Sequence, residues 1–497
     1  MNASDARISA SDVDSAAGSS TASGSSQVPG FKPYIKTPEG RYKVLFDRSS
    51  PYGISHTNAK AATQATIANL KEKSPRPSLA AQPSFLSNSF SARSVTARLL
   101  GSSNGGSKCA SHNRTRSLSN TTTTSNSVLN PEGKGTFLIF NYADAIFISD
   151  LLSQDKEPCK SINLGNSTVT CHAFDEDAID GHDLLIGLQT GEVISASLRQ
   201  QLGESGKKLT GAHQYNKDGC VNNSRCTSVA WVPGGNGVFI AAHADGNIYV
   251  YDKNKESTAD PNSPFVKDSN NLFVSQARNI KSNPIARWHI CEGSINGIAF
   301  SSDGKCLATV GRDGFLRVFD YKKEQLVCGC KSYYGALLCC AWSGDGKYIA
   351  IGGEDDLVQV WSVMEKRTVA WGEGHNSWVR GVSFDSHWSG EGNGNGNPPY
   401  RFGSVGEDTQ LLLWDLEIDE MAEIPHRENE GVLQTVSGMR DIPKLTAVVA
   451  QRVHSDALSG VVFTPQCVLA ACRDGHVKGW SRPDKDGTQL GSIQVRG

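Results

Sequence analysis

The chain has 497 residues, with 49 Lys plus Arg against 51 Asp plus Glu and a formal charge of −2. This balance, with no long basic run, argues against broad nucleic-acid binding driven by counterion release. The sequence holds no stretch of 18 or more apolar residues, so no membrane-spanning helix is expected. Hydrophobic residues make up 38% and glycine is abundant at 50 residues, so part of the chain should stay unfolded and the remainder should be rich in turns.

From the N-terminus, residues 1–90 are largely Ser-rich and polar and are expected to be mostly disordered. Within them, 31–50 (FKPYIKTPEGRYKVLFDRSS) is richer in aromatics and is expected as a docking segment. The opening MNASDARISASDVDSAAGSS has no basic region followed by an apolar core, so it does not read as a secretory signal. The folded unit is expected over 91–497. SVTARLL (94–100) is the candidate first strand, followed by a low-complexity insert at 101–134. The GSSNGGSK in that insert lacks the Gly-Lys-Ser/Thr ending and the strand–turn–helix frame of a phosphate loop. TFLIFNYADAIFISD (136–150) then reads as two strands around a turn.

From there one pattern recurs. Small or apolar residues end in an aromatic at 171–174 (CHAF), 228–231 (SVAW), 297–300 (GIAF), 339–342 (CCAW), 381–384 (GVSF) and 460–463 (GVVF). After five of them a small-residue strand, a turn Asp and an alternating strand follow. The turn Asp precedes an aromatic by six in each: Asp245 and Tyr251, Asp313 and Phe319, Asp355 and Trp361, Asp408 and Trp414, Asp474 and Trp480. The copy at 184–197 has neither the Asp nor the aromatic. A period near 40 with four strands predicts an all-β fold, a β-propeller of seven blades. Its ring should close by pairing N- and C-terminal segments. Loop inserts are expected at 254–286, 386–400 and 418–450.

The turn aspartates are expected to fix their turns by accepting backbone N–H groups. In one blade His375, Ser404, Asp408 and Trp414 form a set. His, Ser and Asp together suggest nucleophilic catalysis, but a buried polar network that stiffens the blade accounts for the same residues. The thirteen cysteines are scattered, and Cys171, Cys226, Cys306, Cys339, Cys340 and Cys472 fall in or beside apolar runs. They read as buried thiols in a reducing compartment, cytoplasmic and/or nuclear. Cys328/Cys330 and Cys339/Cys340 lack zinc-site spacing, so neither a metal nor a cofactor is expected.

Gly374-His375, Trp414-Asp415 and the Asp–aromatic spacing resemble the WD-repeat family. EGRYKVLFD (39–47), CTSVAWVPG (226–234), DGFLRVFD (313–320), KSYYGALLCCAWSGDGKYIAIGGEDDLVQVWS (331–362) and GHNSWVRGVSFD (374–385) resemble a narrower group within it. That group includes WD repeat-containing protein 20, the dystrophia myotonica WD-repeat protein and the fungal catabolite-repression protein CreC. The resemblance implies a non-catalytic regulatory subunit that activates a ubiquitin-specific protease, with another WD-repeat subunit as a possible companion. The weighed alternative is a substrate receptor of a cullin-type ubiquitin ligase, but the Trp-Asp-x-Arg ending of such receptors is missing: Leu416-Glu417 follow Trp414-Asp415.

Loops before first strands and between second and third strands are the usual binding loops of such blades. They offer Tyr333, Tyr334 and Trp378, and, just before the turn Asp, Arg312, Glu354, Glu407 and Arg473. These seven are the expected protein-binding residues, because exposed Tyr, Trp and Arg anchor interfaces. The structural set is His375, Ser404, Asp408, Trp414, Asp245, Asp313, Asp355 and Asp474.

Overall fold

The computed structural model describes residues 32–51, 62–71 and 134–483, apart from short gaps at 152, 166, 179–180, 256–264, 270–271, 278, 280, 389–398, 419–430, 436–439 and 441. The strands form seven antiparallel meanders, each starting with an innermost strand and running outward. The innermost strands are Ala65–Leu70, Val169–Phe174, Cys226–Trp231, Ile295–Phe300, Leu337–Trp342, Val379–Phe384 and Leu458–Phe463, numbered blades 1 to 7 in that order. The architecture is a seven-bladed β-propeller with hardly any helix, as the repeat predicts. Second and third strands are buried on both faces, as in Ile349, Ala350, Ile351, Val358, Val360 and Trp361 of blade 5. Each face packs on a neighbouring blade, so the core lies between blades and is shared around the ring.

Ring closure uses an N-terminal segment. Gly40–Ser49 pairs antiparallel with His476–Ser481, with Lys43 opposite Ser481 and Ser49 opposite His476. Tyr34–Thr37 then pairs with Gly40–Lys43 as a hairpin. Within the 31–50 segment, Tyr34–Thr37 and Gly40–Ser49 therefore pack onto their own chain, as the two outer strands of blade 7. Its hairpin turn is anchored by Arg401, a residue 2% exposed. Arg401 donates to Asp415 through Nε (2.7 Å) and Nη2 (2.8 Å), pairs with Glu39, and lies 4.0 Å from the Trp388 ring centroid.

Several sequence-based boundaries differ from the structure. The first strand of blade 1 is Ala65–Leu70, paired with Gly135–Tyr142 from Ala65↔Phe140 to Leu70↔Gly135. SVTARLL (94–100) and the 101–134 insert lie outside the described residues, apart from Lys134. The propeller therefore begins well before residue 91. ATIANL was overlooked because its polar, Ser/Pro-rich flanks dominate the local composition, whereas a single strand needs only about six residues.

The 254–286 insert contains a hairpin, Phe265–Ser269 and Leu272–Gln276, that widens blade 3 to six strands. Asn283-Pro284, a cis peptide, precedes the fourth strand, Ala286–His289. The 418–450 insert returns over the rim. Val432–Gln434 adds in parallel to Gln325–Lys331 of blade 4, and Lys444–Leu445 adds in parallel to Arg367–Glu373 of blade 5. Ala447–Arg452 then completes blade 6. Most of the acidic stretch EIDEMAEIPHRENE (417–430) lies outside the described residues.

Candidate functional site

The loops before the innermost strands and the turns between second and third strands share one face, the upper face. In each of blades 3 to 7, the residue before the turn Asp hydrogen-bonds through its backbone N–H to the residue before the innermost strand. Ala244 donates to Arg225, Arg312 to Ser294, Glu354 to Ala336, Glu407 to Trp378 and Arg473 to Ala457. The two loop sets are therefore stitched together in a fixed register, and a side chain in one is placed against the other.

Blade 6 holds a complete buried network. His375 Nδ1 lies 3.1 and 3.0 Å from the two Asp408 carboxylate oxygens, and Nε2 lies 2.8 Å from Ser404 Oγ. The Trp414 indole N–H donates to the same Oγ at 2.8 Å. Since Oγ accepts from Trp414, the Ser404 hydroxyl has its proton available for Nε2, which leaves Nδ1–H for Asp408. The backbone N–H groups of Asn376 (2.9 Å) and Gln410 (3.1 Å) also donate to Asp408. Burial opposes ionisation of Asp408, but these bonds outweigh it and hold the carboxyl below its usual range. Ser404 is wholly buried, and its oxygen is committed on both sides. The His–Ser–Asp set therefore presents no nucleophile to solvent and acts as a brace between strands.

Blades 3, 4, 5 and 7 carry reduced forms of this brace. In blade 7, Ala470 stands where blade 6 has Ser404, and His454 Nε2 turns to the Ala470 carbonyl at 3.2 Å. In blade 3, Asn222 replaces the histidine and donates to Asp245 at 3.0 Å. In blade 4, Asp313 accepts from the Phe315 N–H (3.1 Å) and pairs with Arg317 at 2.6 Å. In blade 5, Asp355 accepts from the Leu357 N–H (3.3 Å), and Tyr333 occupies the histidine position. Asp474 of blade 7 faces Asp456 of the loop before the innermost strand; burial first, then this second carboxylate, push its pKa up.

Of the seven expected partner contacts, the three aromatics are exposed on adjacent blades. Tyr333 and Tyr334, before blade 5, are 61% and 73% exposed, and Trp378, before blade 6, is 39% exposed. They are three of the few large apolar side chains left open among the described residues. Arg312 and Arg473 are also exposed. The two glutamates are turned inward. Glu354 Oε2 accepts from the Ala336 N–H at 3.0 Å and so closes the loop that carries Tyr333 and Tyr334. Glu407 Oε1 accepts from Arg380 Nε and Nη2 at 2.8 and 2.6 Å and from Arg473 Nη2 at 2.7 Å. Arg380 escaped the sequence reading, yet its guanidinium lies 5.2 Å from the Trp378 ring centroid.

A cavity of about 760 Å³ opens at the opposite end, between blades 1, 2 and 3, lined by Gln64, Phe174, Asp175, Trp231 and Lys253 among others. It is remote from the exposed aromatics. Among the described residues, no group of three or more His, Cys, Asp or Glu side chains is placed to hold a metal ion. Among them, too, no helix is long and apolar enough to cross a membrane.

The family model for the WD domain, G-beta repeat, matches residues 283–320 and 326–362, which carry the fourth strand of blade 3, the four strands of the blade 4 meander and the first three strands of blade 5. The chain carries WD repeats within a seven-bladed β-propeller. It resembles WD repeat-containing protein 20 of Mus musculus, with 39% identity over 300 residues, 52% of this chain and 51% of that protein. The chain thus spans about half the length of the curated relative it matches. A solved structure of the mitotic checkpoint complex aligns with a TM-score of 0.46 at 15% identity, covering 70% of this chain and 84% of that one. At that score the likeness carries no argument. The WD-repeat assignment rests on the matched repeats and the seven blades.

Proposed function

We propose that this WD-repeat scaffold is a non-catalytic regulatory subunit of a ubiquitin-specific protease, engaged through the upper face of blades 5 and 6. The observation that carries the reading is the exposure of Tyr333, Tyr334 and Trp378 on loops of adjacent blades tied to a rigid ring. Large aromatics held in water by a stiff frame lose little entropy on binding and bury much area. The choice of a protease as partner comes from the group resemblance of residues 331–362 and 374–385, which runs through all three aromatics.

Trp378→Ala combined with Tyr334→Ala is expected to abolish activation of a co-purified ubiquitin-specific protease, with the melting temperature unchanged. Activation measured on a ubiquitin–fluorophore substrate decides the matter: undiminished activation by the folded double variant refutes the assignment.

A further inference from the structure

We infer that Glu407 is a positioning residue for Trp378, acting through Arg380, and not itself a partner contact; this rests on the upper-face reading above. Each innermost strand of blades 2 to 7 carries a bulge after its first residue. The bulged residue leaves the ladder and is re-aimed. Thr170, Thr227, Asn296 and Ser459, the bulged residues in four of these blades, turn their side chains to nearby backbone carbonyls. Blade 6 departs from this habit, because its bulged residue is Arg380, two positions beyond Trp378.

Both Nε and Nη2 of Arg380 donate to one oxygen of Glu407, which holds the guanidinium plane. That guanidinium faces the Trp378 ring at 5.2 Å, within cation–π range. The Glu407 backbone N–H also donates to the Trp378 carbonyl at 2.9 Å, so the same residue fixes both the main chain and, through Arg380, the ring. Arg473, from blade 7, donates to the same carboxylate oxygen at 2.7 Å and ties this setting to the blade 6–blade 7 boundary. Glu407 also separates two guanidinium groups. Without its charge, Arg380 and Arg473 repel, and the support of the indole is lost.

The test uses the full chain labelled with 5-fluorotryptophan. Of the nine tryptophan signals, the one missing in Trp378→Phe belongs to Trp378. Glu407→Gln and Arg380→Lys are each expected to shift and broaden that fluorine resonance, with the other eight in place and the melting temperature retained. Protease affinity is expected to weaken roughly two- to tenfold, the scale of releasing one ordered interfacial side chain. In a Trp378→Ala background, Glu407→Gln should add no further loss.

An unmoved Trp378 resonance in Glu407→Gln overturns the proposal, and so does an additive loss in the double variant. If wild-type protein binds no ubiquitin-specific protease, the functional reading fails, while the resonance shift still judges the positioning role.

Discussion

At the scale of single residues, one spacing carries two kinds of work. The turn Asp with an aromatic six residues on was visible as a repeat, and in blade 6 it anchors a network in which each polar atom has a partner. Asp408→Ala leaves His375 and the Asn376 N–H facing a void, and it is expected to cost about 2–4 kcal/mol. Urea unfolding measures this, and binding should fall only to the extent that folding does. A normal melting temperature alongside lost binding would contradict the structural role. His454 supplies a pH test. Burial first, then Lys478 nearby, lower its pKa from the usual 6.5 to about 3. The folded value is depressed, so the neutral form is the one the fold favours. Its contribution is complete above about pH 6.5 and is lost as pH falls toward 3. The melting temperature should therefore drop through this window, with a smaller drop in His454→Gln. An equal drop in both proteins would rule the histidine out as the source. Arg380 was missed because one chain gives no sign of a bulge. Its position becomes meaningful only once the innermost strands are aligned by their pairing, where it stands among Thr170, Thr227, Asn296 and Ser459.

At the scale of elements, third strands such as Phe315–Asp320 were readable because they combine period-two patterning with a turn signal. Ala65–Leu70 was not: six residues of moderate hydrophobicity gain their identity from Gly135–Tyr142, a partner 65 or more positions away. The rim additions Val432–Gln434 and Lys444–Leu445 are shorter still. They are held by pairing and by contacts such as the Trp371 indole N–H to the Ile442 carbonyl at 3.1 Å. The N-terminal hairpin depends on Arg401. Arg401→Met strips Asp415 and Glu39 of a buried counter-charge and is expected to cost about 3–5 kcal/mol. Amide exchange should accelerate first in the closing blade, at residues 40–49 and 476–481. Uniform acceleration around the ring would show that the hairpin is not a separate latch.

At the scale of the whole molecule, closure makes an early and a late segment of the chain neighbours. Gly40–Ser49 lies against His476–Ser481, leaving neither strand as an open edge along their shared ladder. The repeat by itself determined that the fold is all-β, that it is built of repeated blades, and that five of them have a turn Asp set six residues before an aromatic. Those features are local: period, turn chemistry and propensity act over a few residues and repeat, so one chain displays them several times. The group resemblance, likewise legible in the residues, directed attention to Tyr333, Tyr334 and Trp378. Only the tertiary structure decided that Glu354 and Glu407 turn inward, that Arg380 lies by Trp378, and which N-terminal segments complete blades 1 and 7. These outcomes depend on contacts between residues tens to hundreds of positions apart. Their energies come from burial and hydrogen bonds that exist only once the ring has closed.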